Sequence, residues 1–260
     1  GWKNAAVHFF SHGIVFLAML PSAVVVYTSF LKTKGPVFVG GFGLESYDRI
    51  WRDAPDAIYN SFLFAIIAVT FITITSGLIS YVIVRRDTKA AAAIDFLMMV
   101  PYLVPGVVMA IGFVTVFRNG MPNFFGSAVL LVMIYFIRRL PYGVRSTTSS
   151  LRQIKPSLEE AAVNLGATPF GAFVKITVPL IFPGIVVGAL MSFITAINEL
   201  SSTLILYDAG TITMPVKVYV AVLDGEFGLA AALSTILLLS TGACVYAVFR
   251  FAENRNSAFL

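Results

Sequence analysis

One stretch of the chain decides its fold: Pro156-Ser-Leu-Glu-Glu-Ala-Ala-Val-Asn-Leu-Gly-Ala-Thr-Pro-Phe-Gly-Ala-Phe-Val-Lys-Ile-Thr-Val-Pro179, a polar insert between two apolar runs. Within it, Ser157 and Glu160 have the Ser-x-x-Glu spacing of a capping box. In that arrangement each side chain accepts a hydrogen bond from the other residue's backbone N–H. The spacing therefore predicts a short helix that begins at Ser157.

The predicted helix carries a single apolar stripe. Its apolar positions recur at i, i+3, i+4 and i+7, and they are Leu158, Ala161, Ala162 and Leu165. This is the spacing of one face of an α-helix, and Glu159 lies off that face. We therefore expect the helix to lie flat against another surface.

A sharp turn and a second helix should follow. Gly166 supplies the left-handed backbone conformation that commonly closes a helix. After Ala167, Thr168 and Pro169 form the N-cap and first-turn pair that opens a new helix. The insert is therefore predicted to be a helix, a turn and a helix.

This segment resembles the cytoplasmic EAA loop of binding-protein-dependent ABC importer permeases. The family pattern is Glu-Ala-Ala, three residues, Gly, nine residues, Ile, one residue, and Leu-Pro. The residues that match it in register are Glu160, Ala161, Ala162, Gly166, Ile176 and Pro179, and Val178 stands where the family usually has leucine. The resemblance implies that residues 157–169 couple the chain to an ATPase, with Ser157, Glu159, Leu165, Ala167, Thr168 and Pro169 beside the motif residues.

The composition is that of an integral membrane protein. The chain has 260 residues, of which 58% are hydrophobic and 12% charged, and its mean hydropathy is +0.88. Runs without charge are long enough to cross about 30 Å of hydrocarbon, and they lie at residues 4–31, 57–84, 96–117, 119–137, 176–198 and 227–249. We predict an all-α membrane protein with six transmembrane helices in a single permease domain, residues 1–260. Prolines in these runs, such as Pro101 and Pro105, are expected to kink the spans without breaking them.

Basic residues orient the chain, since short cytoplasmic loops are enriched in lysine and arginine. Most of these residues fall on one side if Arg138, Arg139 and Arg145 are counted with the loop that carries the insert. An even number of spans then makes both termini cytoplasmic, in the inner membrane. Topology also explains the net charge of +5 better than a nucleic-acid partner does.

One face of span 5 is the candidate lining of a transport pathway. Its residues Ser192, Thr195, Glu199 and Ser202 recur at helical spacing, with Asn198 beside them. An ionisable residue such as Glu199 usually faces a bundle interior or an aqueous cavity, and its distance of roughly 30 Å along the helix from Pro179 places it near the outer mouth. A polar helix end bonded to a neighbouring helix is the alternative. Span 2 has a similar face with Thr70 and Thr73, for which simple packing is the stronger alternative.

Missing motifs define what the chain does not do by itself. It has no Gly-x-x-x-x-Gly-Lys-Ser/Thr phosphate loop, no Gly-x-Ser-x-Gly nucleophile elbow and no His-Glu-x-x-His zinc pair. His8 and His12 are spaced i, i+4, but without a third ligand nearby we interpret them as packing residues. We therefore predict no catalytic residue, no metal site and no cofactor in this chain.

The resemblance implies the partners and the cargo. Two ATPase subunits would bind ATP and Mg²⁺, a second permease unit would complete the pathway, and a periplasmic or lipid-anchored binding protein would deliver the solute. The stretch Asn198-Glu-Leu-Ser-Ser-Thr-Leu-Ile-Leu-Tyr207 resembles permeases of ferric-iron importers, with 2-aminoethylphosphonate, thiamine or polyamine as alternative cargoes. A secondary transporter or channel would share the spans but would not need a docking helix.

Overall fold

The computed structural model describes residues 2–86, 88–121, 124 and 126–257, and for residues 3, 5, 119 and 251–257 it describes the backbone alone. The first half of the chain contains helices and one β-hairpin: α1 Trp2–Ser29, β1 Leu31–Lys34, β2 Val37–Phe42, α2 Glu45–Asp53, α3 Pro55–Arg85, α4 Lys89–Leu97, α5 Val100–Leu103 and α6 Gly106–Gly120. The second half continues with α7 Ala128–Leu151, α8 Ser157–Asn164, α9 Pro169–Ala172, a π-helical turn Phe173–Thr177, α10 Val178–Ile197, α11 Thr203–Leu206, a 3₁₀ turn Ala209–Thr211, α12 Met214–Leu223 and α13 Phe227–Ser257.

The apolar helices are those of an all-α membrane protein. In the described part of the chain four helices are long and apolar enough to cross a membrane, and a fifth is added if one bent helix pair counts as a span. Of the predicted six, the run at residues 119–137 differs most. Its helix, α7, begins only at Ala128 and runs on to Leu151.

The prediction that Arg138 and Arg139 lie in the loop after the fourth run was wrong, because both residues lie inside helix α7. They lie at the middle of α7, and their side chains are only 13% and 14% exposed. A buried arginine needs a charged partner, and the partner is a residue distant in sequence, as described below. These two arginines therefore cannot be counted as loop residues when the lysines and arginines of the loops are used to orient the chain.

The third predicted span is broken where a kink was expected. The helices on either side of Val104 and Pro105 meet at an angle of 100°. Val104 has an extended backbone, φ −77° and ψ 124°, because the ring of a following proline disfavours the helical conformation. Since Pro105 also lacks a backbone N–H, the helix ends here and α6 begins anew at Gly106.

Residue contacts divide the chain into two units, which are described separately. The first comprises Gly1–Ile58 and Thr213–Ser240. The loop after its first helix forms the antiparallel hairpin β1–β2, with Gly35 at φ +60° in the turn. Arg49 of α2 bonds Glu226 at 2.5 Å, and this hydrogen bond raises the pKa of Arg49.

The second unit comprises Tyr59–Ile212 and Thr241–Leu260. At its centre α7 and α10 cross in antiparallel directions through small residues. A Cβ added to Gly188 would lie 3.0 Å from Cα of Gly143 and 3.1 Å from Cβ of Ser146. One turn away, the Ser146 hydroxyl donates to the carbonyl of Gly184 at 2.7 Å. Small residues allow two membrane helices to approach this closely.

Candidate functional site

The helix predicted at Ser157 is present, but its capping box is not. Helix α8 begins at Ser157, the N-cap position belongs to Pro156, and no side chain caps the helix. Pro156 already has helical backbone angles, φ −56° and ψ −30°. Ser157 is therefore inside the first turn, where its hydroxyl no longer faces the free N–H groups, so the prediction of a Ser157–Glu160 capping box was wrong.

The turn after α8 has the predicted left-handed glycine. Gly166 has φ +95°. Its N–H donates to the carbonyl of Val163 at 2.9 Å, and the N–H of Ala167 donates to the carbonyl of Ala162 at 3.0 Å. These two bonds form a Schellman motif, which satisfies the last carbonyls of a helix.

The second helix also begins as predicted. The hydroxyl of Thr168 accepts a hydrogen bond from the N–H of Gly171 at 3.0 Å, with Pro169 in the first turn. Helix α9 is only four residues long. It continues through the π-helical turn into α10, so the segment Ser157–Ala172 is joined to a membrane-crossing helix without a flexible linker. We call this segment, in which the sequence predicts the residues that couple to an ATPase, the coupling segment.

The apolar stripe of the coupling segment is left uncovered by the chain itself. Leu158 is 48% exposed, Leu165 is 90% exposed, and Phe170 of α9 is 71% exposed. Ala161 is exposed and Ala162 is half-buried. Exposed apolar side chains clustered at a helix and its turn mark an interaction surface.

Glu159 lies off the apolar stripe and holds α8 against α3. Its carboxylate accepts hydrogen bonds from the Tyr81 hydroxyl and from the Arg85 guanidinium, each at 2.9 Å. Arg85 also donates to the carbonyl of Ile154 at 3.2 Å. The side chains of Glu159 and Arg85 are 13% and 11% exposed, so this ion pair is largely removed from solvent.

A cleft of about 280 Å³ opens beside this ion pair. Its lining comes from α3, α8 and α9 and comprises Tyr81, Glu159, Glu160, Val163, Asn164, Pro169 and Ala172. Glu160, the glutamate of the family motif, is exposed at this cleft. The motif glutamate and its neighbour Glu159 therefore line the same cleft, but Glu159 is bonded to Tyr81 and Arg85 whereas Glu160 is exposed.

Glu199 lies in a buried charge cluster. It is 4% exposed, and one carboxylate oxygen contacts both Arg138, at 2.5 Å, and Arg139. The other oxygen accepts hydrogen bonds from the backbone N–H and the hydroxyl of Ser202, at 3.1 and 3.0 Å. Because Arg139 lies midway along α7, Glu199 is placed beside the centre of that helix.

The remaining predicted pathway residues differ in their surroundings. Ser192 is fully buried and donates to the carbonyl of Arg139 at 3.3 Å. Thr195 bonds carbonyls of its own helix, and the Asn198 amide donates to the Thr241 hydroxyl at 3.0 Å. The structure thus brings Ser192, Glu199 and Ser202 together and leaves Asn198 exposed at the end of α10.

Thr70 and Thr73 lie apart from that cluster, on α3. Their hydroxyls donate to the carbonyls of Ile66 and Val69, each at 2.8 Å, one turn earlier in the same helix. Such bonds are the usual way in which threonine satisfies its hydroxyl inside an apolar helix. Pathway lining by these two residues stays a prediction.

Sequence reasoning missed four residues that build these sites. Tyr81 and Arg85 hold the coupling segment, and Arg138 and Arg139 hold Glu199. For Arg138 and Arg139 the sequence did contain a signal. These adjacent arginines follow the apolar run at residues 119–137, and Glu199 follows the apolar run at residues 176–198. Charges in apolar segments usually pair with one another, so a search for opposite charges would have joined them.

Known proteins are similar to this chain in sequence. Residues 74–257 match the family described as "Binding-protein-dependent transport system inner membrane component". The "Ferric transport system permease protein FbpB" of Actinobacillus pleuropneumoniae is 28% identical over 198 residues, which is 76% of this chain but 28% of that protein. The "Putative 2-aminoethylphosphonate transport system permease protein PhnV" of Salmonella paratyphi A is 23% identical over 241 residues, or 92% of this chain and 91% of that protein. The chain thus spans little more than a quarter of the first relative's length.

A solved structure has a similar fold. It is described as a bacterial ABC transporter involved in the import of the acidic polysaccharide alginate. The match covers 98% of both chains with a TM-score of 0.71 at 15% identity. At this identity the similarity concerns the fold alone.

Proposed function

Since the chain belongs to the family of binding-protein-dependent transport system inner membrane components, we propose that its coupling segment docks on an ATPase subunit and drives alternating access of a solute pathway. The observation that carries this proposal is the uncovered stripe of α8, with Leu165 90% exposed at a rigid turn. A docking helix needs an exposed apolar face and a stiff connection to the membrane helices. Family membership also favours this mechanism over a secondary transporter or channel.

In the proposed topology α7 is also a transmembrane helix, the fourth in chain order, and it brings the number of spans to six. Its 24 residues extend about 36 Å, more than the roughly 30 Å of hydrocarbon. Its two central arginines can be accommodated because Glu199 balances one of their charges. The coupling segment then lies in the cytoplasmic loop between the fourth and fifth spans, and both termini are cytoplasmic.

Cysteine labelling tests this topology. Cys244 is the single cysteine of the chain, and Cys244→Ser gives a background without thiols. In inverted membrane vesicles a membrane-impermeant maleimide should label Leu165→Cys and not Val39→Cys, which lies on the exposed hairpin strand β2. In intact cells the same reagent should label Val39→Cys and not Leu165→Cys. Labelling of Leu165→Cys from outside would contradict the topology.

The proposed assembly contains two ATPase subunits, which bind ATP and Mg²⁺, a second permease unit and a periplasmic or lipid-anchored binding protein. An ATPase should copurify with the chain. Gly166→Val and Glu160→Arg should leave the protein inserted but separate ATP hydrolysis from uptake, because they alter the turn and the charge of the coupling segment. Normal uptake by both variants would overturn the docking role.

The proposed cargo is ferric iron. The Glu199-Leu-Ser sequence in the fifth span and the 28% identity to a ferric permease support it. The phosphonate alternative is supported by PhnV, which matches this chain along 91% of its own length. The polyamine alternative is supported by the similarity to PotI, a permease named for putrescine transport. Uptake of radiolabelled ferric iron by proteoliposomes, compared with 2-aminoethylphosphonate, thiamine and putrescine, tests the choice. Uptake of one of the other three solutes alone would refute iron.

We also propose that the Glu199 cluster forms part of a gate in the pathway, with Ser192, Thr195, Asn198 and Ser202 around it. Two features support this role. The helix ends at this point, between α10 and α11, and a buried carboxylate with two arginines can exchange partners when helices move. Thr70 and Thr73 are proposed as lining residues of the same pathway.

A further inference from the structure

The C-terminal end of α3 contacts three segments in and around helix α8. Arg85 bonds Glu159 on α8 and the carbonyl of Ile154 in the turn that precedes α8. The Tyr81 hydroxyl bonds Glu159, and the Tyr81 ring packs edge-on against Phe173 of the π-helical turn, with ring centroids 4.8 Å apart. Two side chains one helical turn apart thus hold the segments before, within and after the coupling helix.

This attachment is strong in physical terms. Glu159 and Arg85 are 13% and 11% exposed, and the guanidinium contacts the carboxylate at 2.8 Å. When one partner of a buried ion pair is removed, the other is left charged without its counterion, which is costly. The apolar stripe of α8 is exposed, so a displacement of α8 acts on α3 through this ion pair and on α9 through the continuous chain.

We propose that Tyr81 and Arg85 are positioning residues that make α3 move together with the coupling helix, through Glu159. Glu159 then acts inward, as the link to α3, and Glu160 is left to face the docking partner. The motion of the coupling helix reaches the membrane by two routes, one through the continuous chain α9–α10 and one through this side-chain link. The inference rests on the proposed docking function, but the link itself is a property of this chain.

Distances between spin labels test the link. Nitroxides are attached to Leu78→Cys, one turn before Tyr81 on α3, and to Leu165→Cys, both exposed, in the Cys244→Ser background. The permease–ATPase complex in lipid nanodiscs is measured without nucleotide and with ATP and vanadate. With the native link the Leu78–Leu165 distance should stay the same in both states, because the two segments move as one body. A distance that changes with nucleotide would overturn the proposal.

Variants then test whether the Glu159–Arg85 pair makes α3 and α8 move together or only stabilises the fold. Glu159→Gln and Arg85→Gln should make the distance depend on nucleotide and broaden its distribution, and Tyr81→Phe should do so less. The double exchange Arg85→Glu with Glu159→Arg should restore a fixed distance. Arg86→Gln is the matched control, since it removes the same charge one residue further on, at an exposed position, and should change nothing. A fixed distance in Glu159→Gln would refute the link.

Failure of the docking function is recognised separately. If no ATPase copurifies with the unmodified chain, the proposed function fails, and the link is measured in the permease alone. There the Leu78–Leu165 distribution should broaden in Glu159→Gln and narrow again in the double exchange. An unbroadened distribution in Glu159→Gln contradicts the inference, whichever result the copurification gives.

Discussion

Glu159 and Glu199 each pair with arginine largely away from solvent, and their surroundings differ. Glu159 pairs with one arginine near the C-terminal end of α3, and it lies on a helix whose apolar stripe is uncovered. Glu199 faces two arginines and a serine and is 4% exposed. The first pair joins α8, which lies at the surface, to α3. The second places a carboxylate beside the two arginines at the middle of α7. The same ion pair therefore serves attachment in one place and charge neutralisation in the other.

Removal of the Glu199 charge should have the largest effect. Glu199→Gln leaves two buried guanidiniums without a counterion, and we expect the free energy of unfolding to fall by about 3–5 kcal/mol. Thermal and denaturant unfolding of the purified protein in detergent measures it. Glu160→Gln, which neutralises an exposed carboxylate, is the control and should change stability by less than about 0.5 kcal/mol. Equal stability of the two variants would show that the cluster needs no carboxylate.

The close crossing of α7 and α10 gives the next effect. In Gly188→Ala the new methyl group would lie 3.0 Å from backbone Cα of Gly143, which cannot yield easily. We expect a loss of about 1–3 kcal/mol in unfolding free energy. Gly77→Ala on α3 is the control, because a Cβ there meets nothing within 4 Å, and it should be neutral or slightly stabilising. The prediction fails if Gly188→Ala is as stable as this control.

A smaller effect is expected at the turn of the coupling segment. Gly166→Ala places a side chain at φ +95°, and the left-handed conformation costs about 1–2 kcal/mol for residues other than glycine. Hydrogen exchange of the α8 amides should become faster in the variant. Gly210→Ala, where a Cβ meets nothing and the backbone angle is ordinary, should leave that exchange unchanged. Unaltered protection of α8 in Gly166→Ala would show that the turn tolerates a side chain.

The smallest effect compares two capping residues that the sequence treats alike. Thr168→Ala removes a side chain that accepts a hydrogen bond from the Gly171 N–H, and it should cost about 1 kcal/mol. Ser157→Ala should cost much less, because no side chain caps α8. Unfolding in denaturant compares the two. An equal loss in both variants would indicate that Ser157 acts as a cap after all.

The coupling segment could be predicted almost entirely, because it depends on neighbours in sequence. Gly166 closes α8 and Thr168 opens α9 wherever the chain lies, since backbone sterics and short-range hydrogen bonds decide both. The capping box failed because the backbone of Pro156 took helical angles and moved Ser157 inside the helix. The break at Val104 also has a local cause, but its 100° angle depends on what the two helices pack against.

The bounds of helix α7 and the Glu199 charge cluster could not be predicted correctly, because they depend on contacts between residues distant in sequence. Hydropathy identified most of the apolar helices, yet it ended the fourth run at Ile137, because charged residues stop a hydropathy run wherever they occur. Arg139 and Glu199 lie 60 residues apart in sequence, and only the crossing of α7 and α10 through Gly143 and Gly188 brings them together. A method that reads each helix separately assigns such arginines to a loop.

The sequence by itself determined the apolar membrane helices, the family to which they belong, and the helix, turn and helix of the coupling segment. These features follow from composition and from spacings of a few residues, over which backbone geometry acts. The tertiary structure alone decided that Glu159 is held by α3 and that Glu199 is held by the middle of α7. Charges pair with whatever the packing of helices brings within a few ångströms, and packing is set by the shapes of whole surfaces.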